Sequence, residues 1–169
     1  HCNYKVVKPE PLLINKIISS STLIRNLLQK GSLGKANKIL NRSWSIQGKV
    51  QKGKQLGKKI GFPTANIKLN SQNKALPMNV VYWVYTIFKN KLFFGMLNYG
   101  ERPTLEIKKL TIEVHFFNLN KNLYNKDLKI YFKEKIRDEK KFDSLNSLKN
   151  QLQIDKKTCL NLEKIYKKK

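Results

Sequence analysis

A chain of 169 residues can form one domain with a real hydrophobic core, and 35 Lys+Arg against 11 Asp+Glu, a formal net charge of +24, favours polyanions as partners. Only four of the cations are arginines, the residue suited to bidentate reading of phosphates and base edges, and the lysines are spread along the chain, so the charge reads as a solvated face with weak, non-specific polyanion binding. Two cysteines near opposite ends, Cys2 and Cys159, and two histidines, His1 and His115, give no basis for a disulfide framework, a zinc knuckle or a histidine metal site.

The start at His1 reads as a fragment or a trimmed chain, with no secretory signal visible. Residues 19–30, SSSTLIRNLLQK, place hydroxyl residues at a helix start ahead of Leu23, Ile24, Leu27 and Leu28 at helical spacing, and Gly31 stops the helix. A second short helix runs from Leu33 or Gly34 to Leu40. From Trp44 the period changes. WSIQGKVQ, TANIKL, VVYWVYTIF, KLFFGMLNY, LTIEVHFF and LKIYFKEKI are short, β-branched or aromatic, and separated by Gly, Asn, Pro and Lys clusters. Six such strands suggest a closed or nearly closed antiparallel barrel. VVYWVYTIF, the longest apolar run, is too short to cross a bilayer and reads as a buried strand. Asn90 sits in a tight hairpin, and Asp143 or Ser144 caps a last helix that carries Leu145, Leu148, Leu152, Ile154, Leu160 and Ile165 on or near the face packed on the barrel.

Two stretches carry candidate chemistry. In GKVQKGKQLGKKIGFPTANIKL, glycines bracket lysines between two strands, an arrangement that brings backbone N–H groups and ammonium charges to an anion, although GxxxxGK[ST] is absent. Glycine and lysine alone equally describe a flexible hairpin. Thr64 and Asn66 are two apart in an extended segment after Pro63, so their oxygens share a side and suit a magnesium ion, while Thr and Asn after proline are also ordinary turn residues. In TIEVHFF, alternation puts Ile112, Val114 and Phe116 on one face and Thr111, Glu113 and His115 on the other. Glu113 is then either a surface glutamate among lysines or, if that face lines a cleft, a general base for a substrate hydroxyl.

Taken together, SSTLIR, WSIQGKV, GKKIGFPTAN, LNYGERPT (97–104), TIEVHFF, LYNKDL (123–128) and IRDEKKFDSLNSL (136–148) resemble the riboflavin kinase family, in particular the kinase module of bacterial bifunctional riboflavin kinase/FAD synthetases, over essentially the whole chain. The resemblance implies a mainly β fold: a six-stranded antiparallel Greek-key barrel with a C-terminal α-helix, preceded by a short helical remnant. It divides the chain into residues 1–43, the C-terminal end of a nucleotidyltransferase domain, and 44–169, the kinase. The implied reaction moves the γ-phosphate of Mg²⁺-ATP to the ribityl 5′-hydroxyl of riboflavin, giving FMN and ADP, in a cytoplasmic monomer with no membrane or specific nucleic-acid partner.

By position, Thr64 and Asn66 match the family's metal and phosphate ligands and Glu113 its catalytic base. The glycine-lysine loop from Gly53 to Gly61, with Lys58, matches the flap over the nucleotide phosphates, Phe62 and Pro63 count with Thr64 and Asn66 as cofactor-binding, Tyr124 matches a nucleotide contact, and Arg137 and Phe142 a segment near the flavin. Two departures stand out. Leu123-Tyr124-Asn125 replaces the family's LYG, a change that asparagine's tolerance of left-handed φ accommodates. The HxGH-type motif of the adenylyltransferase is absent, so this chain is expected to make FMN but no FAD. The rival reading is a basic nucleic-acid-binding barrel without enzymatic activity, stacking bases on Trp44, Tyr82, Trp83 and Tyr85.

Overall fold

The structure, a computed structural model, describes residues 7, 10, 12–14, 16–53, 55–71, 74–103 and 108–168, with 101–103, 108 and 109 described by backbone alone. Thr104, at the end of the LNYGERPT stretch, lies outside the described residues. A two-stranded ribbon, β1 (Leu13–Ile14) and β2 (Ile17–Ile18), leads into helices α1 (Ser21–Gln29) and α2 (Leu33–Leu40). Ser20 caps α1 by accepting from the Leu23 N–H at 3.2 Å, and Asn41 ends α2 at φ 51°. No periodicity announces the ribbon, whose residues Leu13, Ile17 and Ile18 are exposed.

Six strands, β3 (Ser45–Gln51), β4 (Ala65–Leu69), β5 (Val80–Phe88), β6 (Lys91–Pro103), β7 (Lys108–Phe116) and β8 (Asp127–Asp138), close into a barrel in the order β3-β4-β7-β6-β5-β8. β5, β6 and β7 form a meander, and β8 returns beside β5, which is the Greek-key connection. Lys89 and Asn90, at φ 50° and 59°, make the two-residue turn between β5 and β6 that matches the right-handed twist of the strands.

Both faces of β5 are apolar because both are covered. Val80, Tyr82 and Val84 point into the barrel with Leu97, Val114, Ile130 and Phe132. Thr86, fully buried among them, is satisfied by donating to the Lys129 carbonyl at 2.9 Å. The helices before the barrel join the same core through Ile24, Leu28, Leu33, Ala36 and Ile39. Asn37 fixes α2 to it, donating to the Phe132 carbonyl at 3.0 Å and accepting from the Trp44 N–H at 2.7 Å. On the outer face, Trp83, Phe94 and Met96 form a second cluster under α4 (Leu145–Lys167). Tyr82 and Trp83 are therefore closed off from stacking on bases, and Trp44 and Tyr85 are half-buried.

The seam of α4 differs from the expected apolar stripe. Leu152, Leu160 and Cys159 do face the barrel, but Leu145, Ile154 and Ile165 are exposed, and the place between is taken by Asp155, 1% exposed. The buried carboxylate is tolerated because Arg137 of β8 grips it bidentately, Nε and Nη2 donating at 2.9 and 2.8 Å, and the Gln151 amide donates to it at 2.9 Å. Replacing Asp155 with alanine leaves the half-buried guanidinium without its partner, and chemical denaturation should show a loss on the order of 3–5 kcal/mol.

Candidate active site

β4 and β7 are joined by two register pairs only, Ala65↔Val114 and Asn66↔Glu113. Residues directly across an antiparallel pair share a face, so Asn66 and Glu113 stand side by side on the outside of the barrel while Val114 is wholly buried within it. Thr64, two residues before Asn66, is on the same side as alternation requires, and its hydroxyl donates to Glu113 Oε2 at 3.1 Å.

The chain reaches Thr64 through a tight turn. What the sequence describes as a glycine-lysine loop folds in part into one helical turn, α3 (Leu56–Lys59), after Gln55 at φ 54°. The Phe62 N–H donates to the Gly57 carbonyl at 2.8 Å, and a Cβ at Gly57 would overlap the Phe62 carbonyl. A Cβ at Gly53 would instead meet the end of the Asn66 side chain, whose amide would have to shift. Phe62 is buried with its ring edge-on to His115 at 5.3 Å.

Two cavities meet at this turn. The larger, about 470 Å³, lies between the turn and the 118–124 loop and is walled by Val50, Gly61, Pro63, Thr64, Tyr124 and Lys156. Asn125, next to Tyr124, takes φ 61°, the left-handed conformation anticipated where the family has glycine. The smaller, about 260 Å³, lies between the outer barrel wall and α4 and is walled by Phe62, Met96, Asn98, Glu113, Arg137 and Phe142. Thr64 and His115 line both.

Of the residues singled out from the sequence, Gly61, Pro63, Thr64 and Tyr124 border the larger cavity, and Phe62, Thr64, Glu113, Arg137 and Phe142 the smaller. Arg137 spends most of its donors on Asp155 and on the Asp138 carbonyl, at 2.8 Å, and its guanidinium stands 5.8 Å from the Phe142 ring centre. Asn66 and Gly53 contact each other behind the turn, and Lys58 is exposed on α3 outside both cavity walls. Sequence reasoning passed over His115, Asp155 and Lys156. For His115 the signal was present in the alternation that puts it on the face of Glu113; for the other two it was not, because helical seams made of charged residues look like solvent faces.

Thr64 and Glu113, joined by a hydrogen bond, and Asn66, paired across from Glu113, carry oxygens of the hard type that suits a divalent cation, although Asn66 packs toward Gly53 and lines neither cavity. Among the described residues no three His, Cys, Asp or Glu side chains cluster as an all-protein metal cage.

His115, 8% exposed, has its pKa pushed below 6.5 chiefly by burial; the hydrogen bond to Pro63 opposes this and the nearby Lys156 ammonium adds to it. A folded-state pKa below the unfolded one means that the unfolded chain binds the proton more readily, so this contribution to stability is complete above pH 6.5 and is lost as pH falls below it. Urea denaturation of the protein and of His115→Phe at pH 7.5 and at pH 5.5 should show a smaller acid loss in the variant.

Comparison with known proteins places the chain in a family. The family model described as flavokinase, riboflavin kinase, matches residues 40–162. A bifunctional riboflavin kinase/FMN adenylyltransferase of Buchnera aphidicola subsp. Schizaphis graminum is 41% identical over 158 residues, covering 90% of this chain and 50% of its own length. Its Haemophilus influenzae namesake is 40% identical over 141 residues, covering 83% and 45%. A solved structure described as a macrolide-efflux protein of Streptococcus pneumoniae superposes with a TM-score of 0.81 at 31% identity, covering 89% of this chain and 49% of that one. The chain thus spans about half the length of the curated relatives it matches. With the family model covering most of the barrel and its helix, the chain belongs to the riboflavin kinase family.

Proposed function

We propose that this chain is an ATP:riboflavin 5′-phosphotransferase, binding Mg²⁺-ATP in the larger cavity and riboflavin in the smaller and releasing FMN and ADP. The observation that carries this reading is the Thr64–Glu113 hydrogen bond at the line where the two cavities meet. Phosphoryl transfer needs two substrates in line and the charge on the transferred group neutralised, with little covalent work by the protein. A junction of two cavities supplies the first requirement.

In the smaller cavity, Met96, Phe142 and Leu152 offer apolar surface for a flat ring system, and Asn98 and Thr111 offer polar edges. This leaves a hydroxylated tail to run toward Glu113. The Glu113 carboxylate, which accepts a hydrogen bond from the Thr64 hydroxyl, is placed to accept a proton from the terminal hydroxyl of that tail. Thr64 and Asn66 would hold the magnesium ion, which when bound neutralises phosphate charge. Gly61, Pro63 and Tyr124 would border the nucleotide. Lys58 can meet the phosphates only through a movement of α3, since it lies outside both walls.

We further infer that residues 1–43 correspond to the end of the adenylyltransferase portion of the longer relatives, and that this chain forms FMN without FAD. The reading includes action as a monomer in the cytoplasm. Among the described residues no helix is long and apolar enough to cross a membrane. Incubation with riboflavin and Mg²⁺-ATP, followed by chromatography, should yield FMN alone. Glu113→Gln should lower kcat by about 10²- to 10⁴-fold while ATP binding persists. A variant that keeps most of its turnover removes Glu113 as the base.

A further inference from the structure

The β4–β7 ladder stops at Ala65 for a simple reason: the chain next runs through Pro63, which has no N–H to donate. Continuing the same register would set Thr64 opposite His115. There the side chain of His115 takes over from the missing backbone pairing. Its Nδ1 lies 2.8 Å from the Pro63 carbonyl oxygen. A carbonyl oxygen can only accept, so Nδ1 carries the proton and the ring is the donor. The ring itself is held on both sides, edge-on to Phe62 at 5.3 Å and to Phe117 at 5.7 Å, and is 8% exposed.

Two residues of β7 thus hold two consecutive residues of the turn. His115 holds the Pro63 carbonyl and Glu113 receives the Thr64 hydroxyl, so the short segment closes a ring through the strand that bears the proposed base. Pro63, Thr64 and His115 all border the larger cavity, and Thr64 and His115 the smaller. Releasing the Pro63 peptide would free Thr64 to rotate away from Glu113.

We propose that His115 is a positioning residue for phosphoryl transfer, its imidazole clasping the Pro63 carbonyl so that Thr64 and Glu113 stay in register where the two cavities meet. This rests on the kinase reading above. The clasp acts on geometry at the reacting junction and makes little contact with the remote ends of either substrate, so its loss falls on kcat rather than on KM. Misplacing reacting groups by about 1 Å costs on the order of a hundredfold in rate.

Three measurements test it. Nitrogen-15 NMR of the intact chain at pH 7.5 should show a neutral His115 protonated on Nδ1. His115→Phe keeps the ring between Phe62 and Phe117 but has no donor; it should lower kcat about 10- to 100-fold with both KM values within about threefold. His115→Asn, whose amide can place a donor near the Nδ1 position, should recover kcat to within about fivefold of the parent. A proton on Nε2, an H115F enzyme within about twofold of the parent kcat, or an H115N enzyme as slow as H115F each overturns the proposal. Should H115F fail to fold, the tautomer and H115N decide. A parent chain that forms no FMN but does carry the Nδ1 proton overturns the kinase reading and the catalytic role together, leaving the clasp as architecture only.

Discussion

The short seam between β4 and β7 is the constraint on which the site depends. β6 and β7 pair without a break from Gly95↔Phe116 to Pro103↔Lys108, whereas β4 and β7 share two register pairs before proline ends the ladder. A barrel must close to bury its backbone groups, and here it closes with the least pairing that still sets register. One more pair upstream would draw residues 62–64 into the sheet and fill the space between the cavities. One fewer would leave Asn66 and Glu113 without a fixed relation. The site lies where the barrel comes nearest to opening, so strand geometry fixes Glu113 while the turn beside it remains free to shape a cavity.

That arrangement explains why glycine is concentrated upstream. The chain must fold back on itself tightly enough for the Gly57 and Phe62 backbones to touch and for Gly53 to pass over the Asn66 amide. The first leaves no room for a side chain, and at the second the Asn66 amide would have to give way. Among the described residues, the lysines between these glycines contribute no wall to either cavity, so the described loop is built first around close backbone approach and only second around charge.

The barrel was legible because its strands alternate between two covered faces and its hairpin turn carries an asparagine that tolerates positive φ. The pairing of strands was not, since the β4–β7 contact joins segments almost fifty residues apart and no local pattern encodes it. The site was half legible: proline, threonine and asparagine announced the turn, and alternation put Glu113 and His115 on one face. The α4 seam misled for a definite physical reason. Apolar residues are normally what a helix buries, but the Asp155 carboxylate holds a central place because Arg137 and Gln151 satisfy it, and Ile154 is turned to solvent in consequence. A buried ion pair between elements far apart in sequence leaves no trace in either element alone.

The scarcity of acid in this chain gives the last step its force. With 11 carboxylate residues against 35 cations, the long-range field attracts any anion, nucleotides included, and confers no choice among them. Choice must come from short-range geometry. Two of the carboxylates that line the smaller cavity are engaged differently: Asp155 is gripped by Arg137 and holds the α4 wall, and Glu113 accepts a hydrogen bond from the Thr64 hydroxyl at the junction. A hydroxyl can exchange its donor role for that of a ligand without leaving a charge unpaired, whereas a guanidinium cannot. The guanidinium on Asp155 and the hydroxyl on Glu113 thus distinguish a carboxylate that builds the wall from one that borders the turn.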